Sequence, residues 1–178
     1  MKLNSEVRPL YHLQSYGKQP LIDGVTIHHL RRFNDDGGAM TELLRLADGA
    51  ALELEGFRPA QLNYSCLQPS AIKAFHVHMK QTDLWFVPPE DRLLVVLVDT
   101  RDGSPTAGQQ VRTMLGDGNS ALLRIPPGVA HGCRNLGGHP ARIIYVTDRH
   151  FSPEPDDCDE GRLPWDLVGE EIWNASTE

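Results

Sequence analysis

Cysteine is scarce in this sequence. Cys66, Cys133 and Cys158 are three in 178 residues, far apart and odd in number. They argue against a disulfide framework and for a reducing compartment, so a cytoplasmic location is expected. Long apolar runs are missing too. Nothing approaches the roughly 20 residues that span a bilayer, and Lys2, Glu6 and Arg8 sit among polar neighbours at the start. Neither a signal peptide nor a membrane anchor is expected. Basic charge is in short supply: 17 Lys and Arg stand against 24 Asp and Glu, a net charge of −7. The basic residues are scattered rather than striped, which excludes the electrostatic footprint of a nucleic-acid binder. There is no internal repeat and no low-complexity tract.

What is present suffices for one core. A chain of 178 residues, 40% of them apolar, fits a single domain over 1–178, with an N-terminal segment at 1–32 and a C-terminal extension at 152–178. Turn residues interrupt the apolar runs at 35–38, 48–49, 88–89, 102–105, 116–119, 126–128 and 137–140. The segments between them, such as 93–98, Ala121–Ile125 and 141–146, are rich in Val, Ile and Leu and too short for ordinary helices. This rhythm predicts an all-β sandwich or barrel. Short helices are expected near 41–47 and 165–173, and 152–161 reads as a polar loop.

The most informative stretch is IKAFHVHMKQTDLWFV at 72–87. On a strand, side chains alternate, so His76 and His78 share one face while Phe75, Val77 and Met79 take the other. Asp83 follows, and far downstream PPGVAHGCRN places His131 after a tight turn and before Asn135. HxHxxxxD and PxGxxHxxxN, in this order, resemble the two cupin motifs, with Asp83 in place of the usual Glu. The resemblance implies a cupin double-stranded β-helix (jelly roll) with short peripheral helices. His76, His78, Asp83 and His131 form a candidate set for a divalent metal, Zn²⁺, Mn²⁺, Fe²⁺, Ni²⁺ or Co²⁺. His12, His28, His29, His139 and His150 read as surface or core histidines, Asp99 and Arg101 as a structural pair, and Trp165 and Trp173 as packing residues. Cys66 and Cys133 read as small apolar fillers.

A longer resemblance covers about 24–173. FNDDGGAMTE at 33–42, QLNYS at 61–65, KAFHVH at 73–78, VDTRDGSPTAG at 98–108, IPPGVAHG at 125–132, IIYVTDRHFSP at 143–153 and PWD…IW at 164–173 resemble the dTDP-4-dehydrorhamnose 3,5-epimerase family. That resemblance implies a cupin-fold homodimer that binds a nucleotide-linked 4-keto-6-deoxy sugar without metal and inverts carbon centres beside the ketone. The 1–32 segment would exchange with the partner. It also implies roles: His76 as base, Asp166 as the carboxylate that orients it, and Tyr145 as acid. His131, Glu42, Gln61, Asn63, Ser65 and Lys73 would line the substrate. The chain departs from the family pattern at several points. Lys73 and Gly37 stand where the family has arginines, Phe151 replaces a tyrosine, Asp83 aligns with the lysine that would stabilise an enolate, and His78 aligns with a glutamine.

Two classes of function follow. The first is a nucleotide-sugar epimerase or isomerase that needs no cofactor. The alternative is a metal-dependent cupin enzyme, an isomerase, dioxygenase or lyase on another small polar substrate; an inactive sugar-binding homologue is the third possibility. His76 cannot be base and metal ligand at once, because ligation uses the lone pair that a base needs.

Overall fold

The structure is a computed structural model that describes residues 1–13, 21–154 and 156–175. Residues 14–20 of the expected N-terminal segment, and 155 and 176–178 of the C-terminal extension, lie outside the described residues. The strands are β1 (Thr26–His29), β2 (Arg32–Asp35), β3 (Gly38–Thr41), β4 (Leu46–Ala47) and β5 (Ala50–Ala51). They continue with β6 (Gln61–Leu67), β7 (Ile72–Val77), β8 (Asp83–Phe86), β9 (Arg92–Asp99) and β10 (Gln110–Gly116). The last are β11 (Ala121–Ile125), β12 (Val129–Asn135), β13 (Ala141–Thr147) and β14 (Gly161–Arg162). Two five-stranded antiparallel sheets, ordered β1-β11-β8-β13-β6 and β10-β9-β12-β7-β14, stack as a jelly roll; the hairpins β2-β3 and β4-β5 stand apart.

The apolar run in β9 explains the layering. Leu93, Val95 and Leu97 point between the sheets, with Trp85, Leu123, Ile125, Cys133 and Ile143. Leu94, Val96 and Val98 point outward, where Phe75, Ala130 and Trp173 cover them. Both faces of the strand are therefore buried, and the sequence shows a continuous apolar run rather than alternation. The outer face of the other sheet carries Leu84, Phe86, Leu122 and Val146 beneath Leu54 and Phe57.

The expected helix at 41–47 does not form. Leu43 and Leu44 pack on the outer sheet cluster, and Leu46–Ala47 enters a hairpin with Ala50–Ala51. The hairpin turn is at Asp48 (φ 50°) and Gly49 (φ 74°), both in the left-handed region that such a two-residue turn requires. The helix expected at 165–173 is a 3-10 turn over Glu170–Trp173. Trp173 is buried, its ring 5.2 Å from Phe75 and its indole N–H bonded to the Trp165 carbonyl at 2.9 Å. Asp99 accepts bonds from Arg101, Ser104 and Thr106, so the Asp99–Arg101 pair is structural.

Candidate active site

Alternation on facing strands builds one cavity. From β6 it takes Gln61, Asn63 and Ser65; from β13, Tyr145 and Thr147; from β8, Asp83 and Trp85. The opposite sheet contributes His131 from β12, Lys73 and His76 from β7 and Arg162 from β14. Register makes these residues neighbours: Tyr145 pairs with Trp85 and Asn63, His131 with His76, and His76 with Arg162. Residues between them on the same strands, such as Leu62 and Tyr64, point to solvent. The cavity holds about 720 Å³, within the range of small-molecule sites.

His76 lies at the mouth. Its Nε2 faces the Arg162 guanidinium, and its Nδ1 is 3.7 Å from Glu160 Oε2. Burial and the Arg162 charge push the imidazole pKa down to about 3. Arg162 reaches it because Gly161 runs hard against β7: a Cβ there would sit 2.6 Å from the Val77 carbonyl oxygen. Lys73 donates to Ser65 at 3.1 Å. Burial first, and Asp83 second, raise the Tyr145 phenol above its usual range. Burial also pushes the Cys133 thiol up to about 12, so it is no nucleophile.

Deeper in, His78, Asp83 and His131 are buried at 4%, 3% and 1% exposure. Asp83 accepts from Gln81 Nε2 at 2.8 Å and from Trp85 Nε1 at 3.1 Å. His78 Nδ1 donates to the Asp159 carbonyl at 2.6 Å, and His131 Nδ1 to the Val129 carbonyl at 3.0 Å. The Asp159 carboxylate in turn accepts the backbone N–H groups of Met79, Lys80 and Gln81 and so holds the chain after β7.

The structure sets three of the expected site residues apart from the groups they were read into. Asp166 does not line this cavity; its carbonyl accepts from Gly169, and the carboxylate beside His76 belongs to Glu160. Glu42 lines a separate cavity with His28, Phe33 and Met40 and pairs with Arg45 at 2.9 Å. His76 is not grouped with the three candidate metal ligands His78, Asp83 and His131, whose donor atoms lie within 4.8 Å of one another; the Arg162 guanidinium holds its Nε2 instead. Glu160, Arg162, Gln81 and Trp85 went unread in the sequence. Only the polarity of 152–161 hinted at Glu160, and nothing pointed to the other three.

Fold and cavity define a cupin-type jelly roll with acid–base groups around a small-ligand pocket. The family profile for dTDP-4-dehydrorhamnose 3,5-epimerase matches residues 19–166. The spore coat polysaccharide biosynthesis protein SpsL of Bacillus subtilis (strain 168) is 45% identical over 146 residues, covering 82% of this chain and 91% of the relative. The dTDP-4-dehydrorhamnose 3,5-epimerase of Pseudomonas aeruginosa is 30% identical, covering 82% and 83%. The crystal structure of a dTDP sugar isomerase from Desulfovibrio desulfuricans G20 superposes with a TM-score of 0.71 at 31% identity, covering 82% and 87%. The chain belongs to the dTDP-4-dehydrorhamnose 3,5-epimerase family. It is thus an epimerase of carbohydrate derivatives, and the metal-dependent cupin enzymes are not favoured as its functional class.

Proposed function

We propose that the chain inverts a carbon centre beside the ketone of a nucleotide-linked 4-keto-6-deoxy sugar, with His76 as base and Tyr145 as acid. One observation carries this reading: the two residues line the same cavity from opposite sheets, His76 on β7 and Tyr145 on β13. Inversion needs a proton removed on one face of the sugar and returned on the other, and a sugar between the sheets meets one group on each side. Glu160 orients the His76 ring through Nδ1. Arg162, whose side chain is 59% exposed, leaves Nε2 when substrate enters and moves onto the ketone oxygen. There it replaces the family cation whose position Asp83 occupies, and stabilises the enolate. Gln61, Asn63, Ser65 and Lys73 supply the remaining polar contacts to the sugar. The base and the acid are both side chains, so this reaction calls for no cofactor.

The proposal extends to assembly and location. Leu10, Leu13, Phe33 and Met40 are exposed apolar side chains at the N-terminal end and on the β2-β3 hairpin. They support a homodimer in which this region, with Glu42, packs on a second copy. Among the described residues no helix is long and apolar enough to cross a membrane, and a cytoplasmic enzyme is the reading adopted. The test is turnover of the thymidine and uridine diphosphate forms of a 4-keto-6-deoxy hexose, followed by NMR. Inversion beside the ketone is expected, and failure with every such sugar would overturn the proposal.

A further inference from the structure

The cluster beneath the reaction cavity is electrostatically incomplete. His78 and His131 each give their Nδ1 hydrogen to a backbone carbonyl, which fixes the tautomer and leaves a lone pair on each Nε2. Both lone pairs point at the Asp83 carboxylate: His78 Nε2 is 3.8 Å from Oδ1 and His131 Nε2 is 3.6 Å from Oδ2. The Gln81 amide, which bonds Asp83, comes within 3.4 Å of His78 Nε2. His131 Nε2 has no hydrogen-bond partner among the described residues. Three acceptors thus converge among buried side chains with one amide shared between two of them and His131 Nε2 left over, an arrangement that a cation among them would stabilise.

We propose that His78, Asp83 and His131 bind one divalent transition-metal ion through two imidazole nitrogens and a carboxylate oxygen, with the open position facing the cavity. The donor set suits Zn²⁺ and Co²⁺. Bonds of about 2.1 Å in a tetrahedron set donor atoms roughly 3.4 Å apart; the three donor atoms here lie within 4.8 Å of one another, so the cluster draws in by up to about 1.4 Å when the ion binds. The surroundings match what metal-bound histidines require: each ring is held by a carbonyl behind it, and Asp83 is oriented by Gln81 and Trp85. His76 stays outside the set and keeps its role as base. Bound, the ion supplies positive charge at the floor of the pocket, where the family's strand lysine gives way to Asp83. This inference concerns the cluster itself and does not depend on which sugar is turned over.

The test uses tag-free full-length protein and reads metal, not turnover. Elemental analysis is expected to find one stoichiometric transition-metal ion. Chelation should lower the melting temperature, and added Zn²⁺ should restore it. Co²⁺ in the apoprotein should give the visible absorption of a four-coordinate site. His131→Ala and Asp83→Asn should lose or weaken the ion, whereas His76→Ala should retain it. Asp83→Asn keeps the size and one acceptor, so it guards against mere unfolding. Protein free of metal as isolated, with melting unmoved by Zn²⁺ and no Co²⁺ spectrum, would overturn the inference and leave the epimerase reading intact. Metal-loaded protein inert on every nucleotide sugar would do the reverse.

Discussion

Arg162→Gln separates catalysis from folding at this site. The side chain is 59% exposed and its ion pair with Glu160 is long, at 3.8 Å. An exposed pair of this kind contributes at most about 1 kcal/mol, so the melting temperature should move little. Catalysis should respond differently. Losing a donor to a developing oxyanion costs roughly 10²–10³ in kcat, or about 2.7–4 kcal/mol of transition-state stabilisation. The assay is steady-state turnover of a nucleotide-linked 4-keto-6-deoxy sugar, with kcat and KM resolved and melting measured in parallel. The expected split is a large fall in kcat with a small change in KM, because the charge develops only in the transition state. Arg162→Lys should recover part of the rate, since it keeps the cation but not the planar fork. Wild-type kcat in Arg162→Gln would refute the reasoning and return the enolate role to Lys73 or the cluster below.

Other outcomes follow from the same geometry. Tyr145→Phe removes one hydroxyl and should preserve the fold while abolishing inversion; a variant that still inverts the centre would remove Tyr145 from the mechanism. Gly161→Ala forces a Cβ to 2.6 Å from the Val77 carbonyl, so β14 should shift and activity fall, and an unperturbed crystal structure would contradict this. Asp99 is 1% exposed, and removing it takes away the carboxylate on which Arg101, Ser104 and Thr106 converge. Asp99→Ala should cost about 3 kcal/mol in urea unfolding. Hydrogen bonds, first from Arg101, hold the Asp99 carboxyl below its usual range. Its stabilisation is therefore complete above the unfolded value of about 3.9 and is lost as pH falls through the lower folded value. An acid-denaturation limb unchanged by Asp99→Asn would count against that linkage.

The jelly roll was legible because strand alternation and turn chemistry are local. The alternation in 72–87 put His76 and His78 on one face, and the structure aims both into the cavity while Phe75 and Val77 pack on the far side. Turns at 48–49 and 126–128 were readable from Asp-Gly and Pro-Pro-Gly for the same reason. The β14 contribution was not legible. A two-residue strand has no periodicity, and Glu160 and Arg162 reach the site only because Gly161 permits close contact with β7. Asp166 stands outside the cavity lining and Glu160 within it, a distinction that sequence order does not disclose in an irregular segment. The helix expected at 41–47 failed since Leu43 and Leu44 are held by the outer sheet cluster, a tertiary contact that spacing alone mimics as helical.

In the proposed reaction, protons leave and return beside a ketone held between His76 and Tyr145. Its most direct measurement is NMR of a nucleotide-linked 4-keto-6-deoxy sugar incubated with the wild-type protein in deuterated water. Deuterium is expected at a carbon flanking the ketone, with that centre inverted, and is expected to be absent in His76→Ala. Wild-type protein that binds the sugar yet leaves those carbons fully protonated would contradict it.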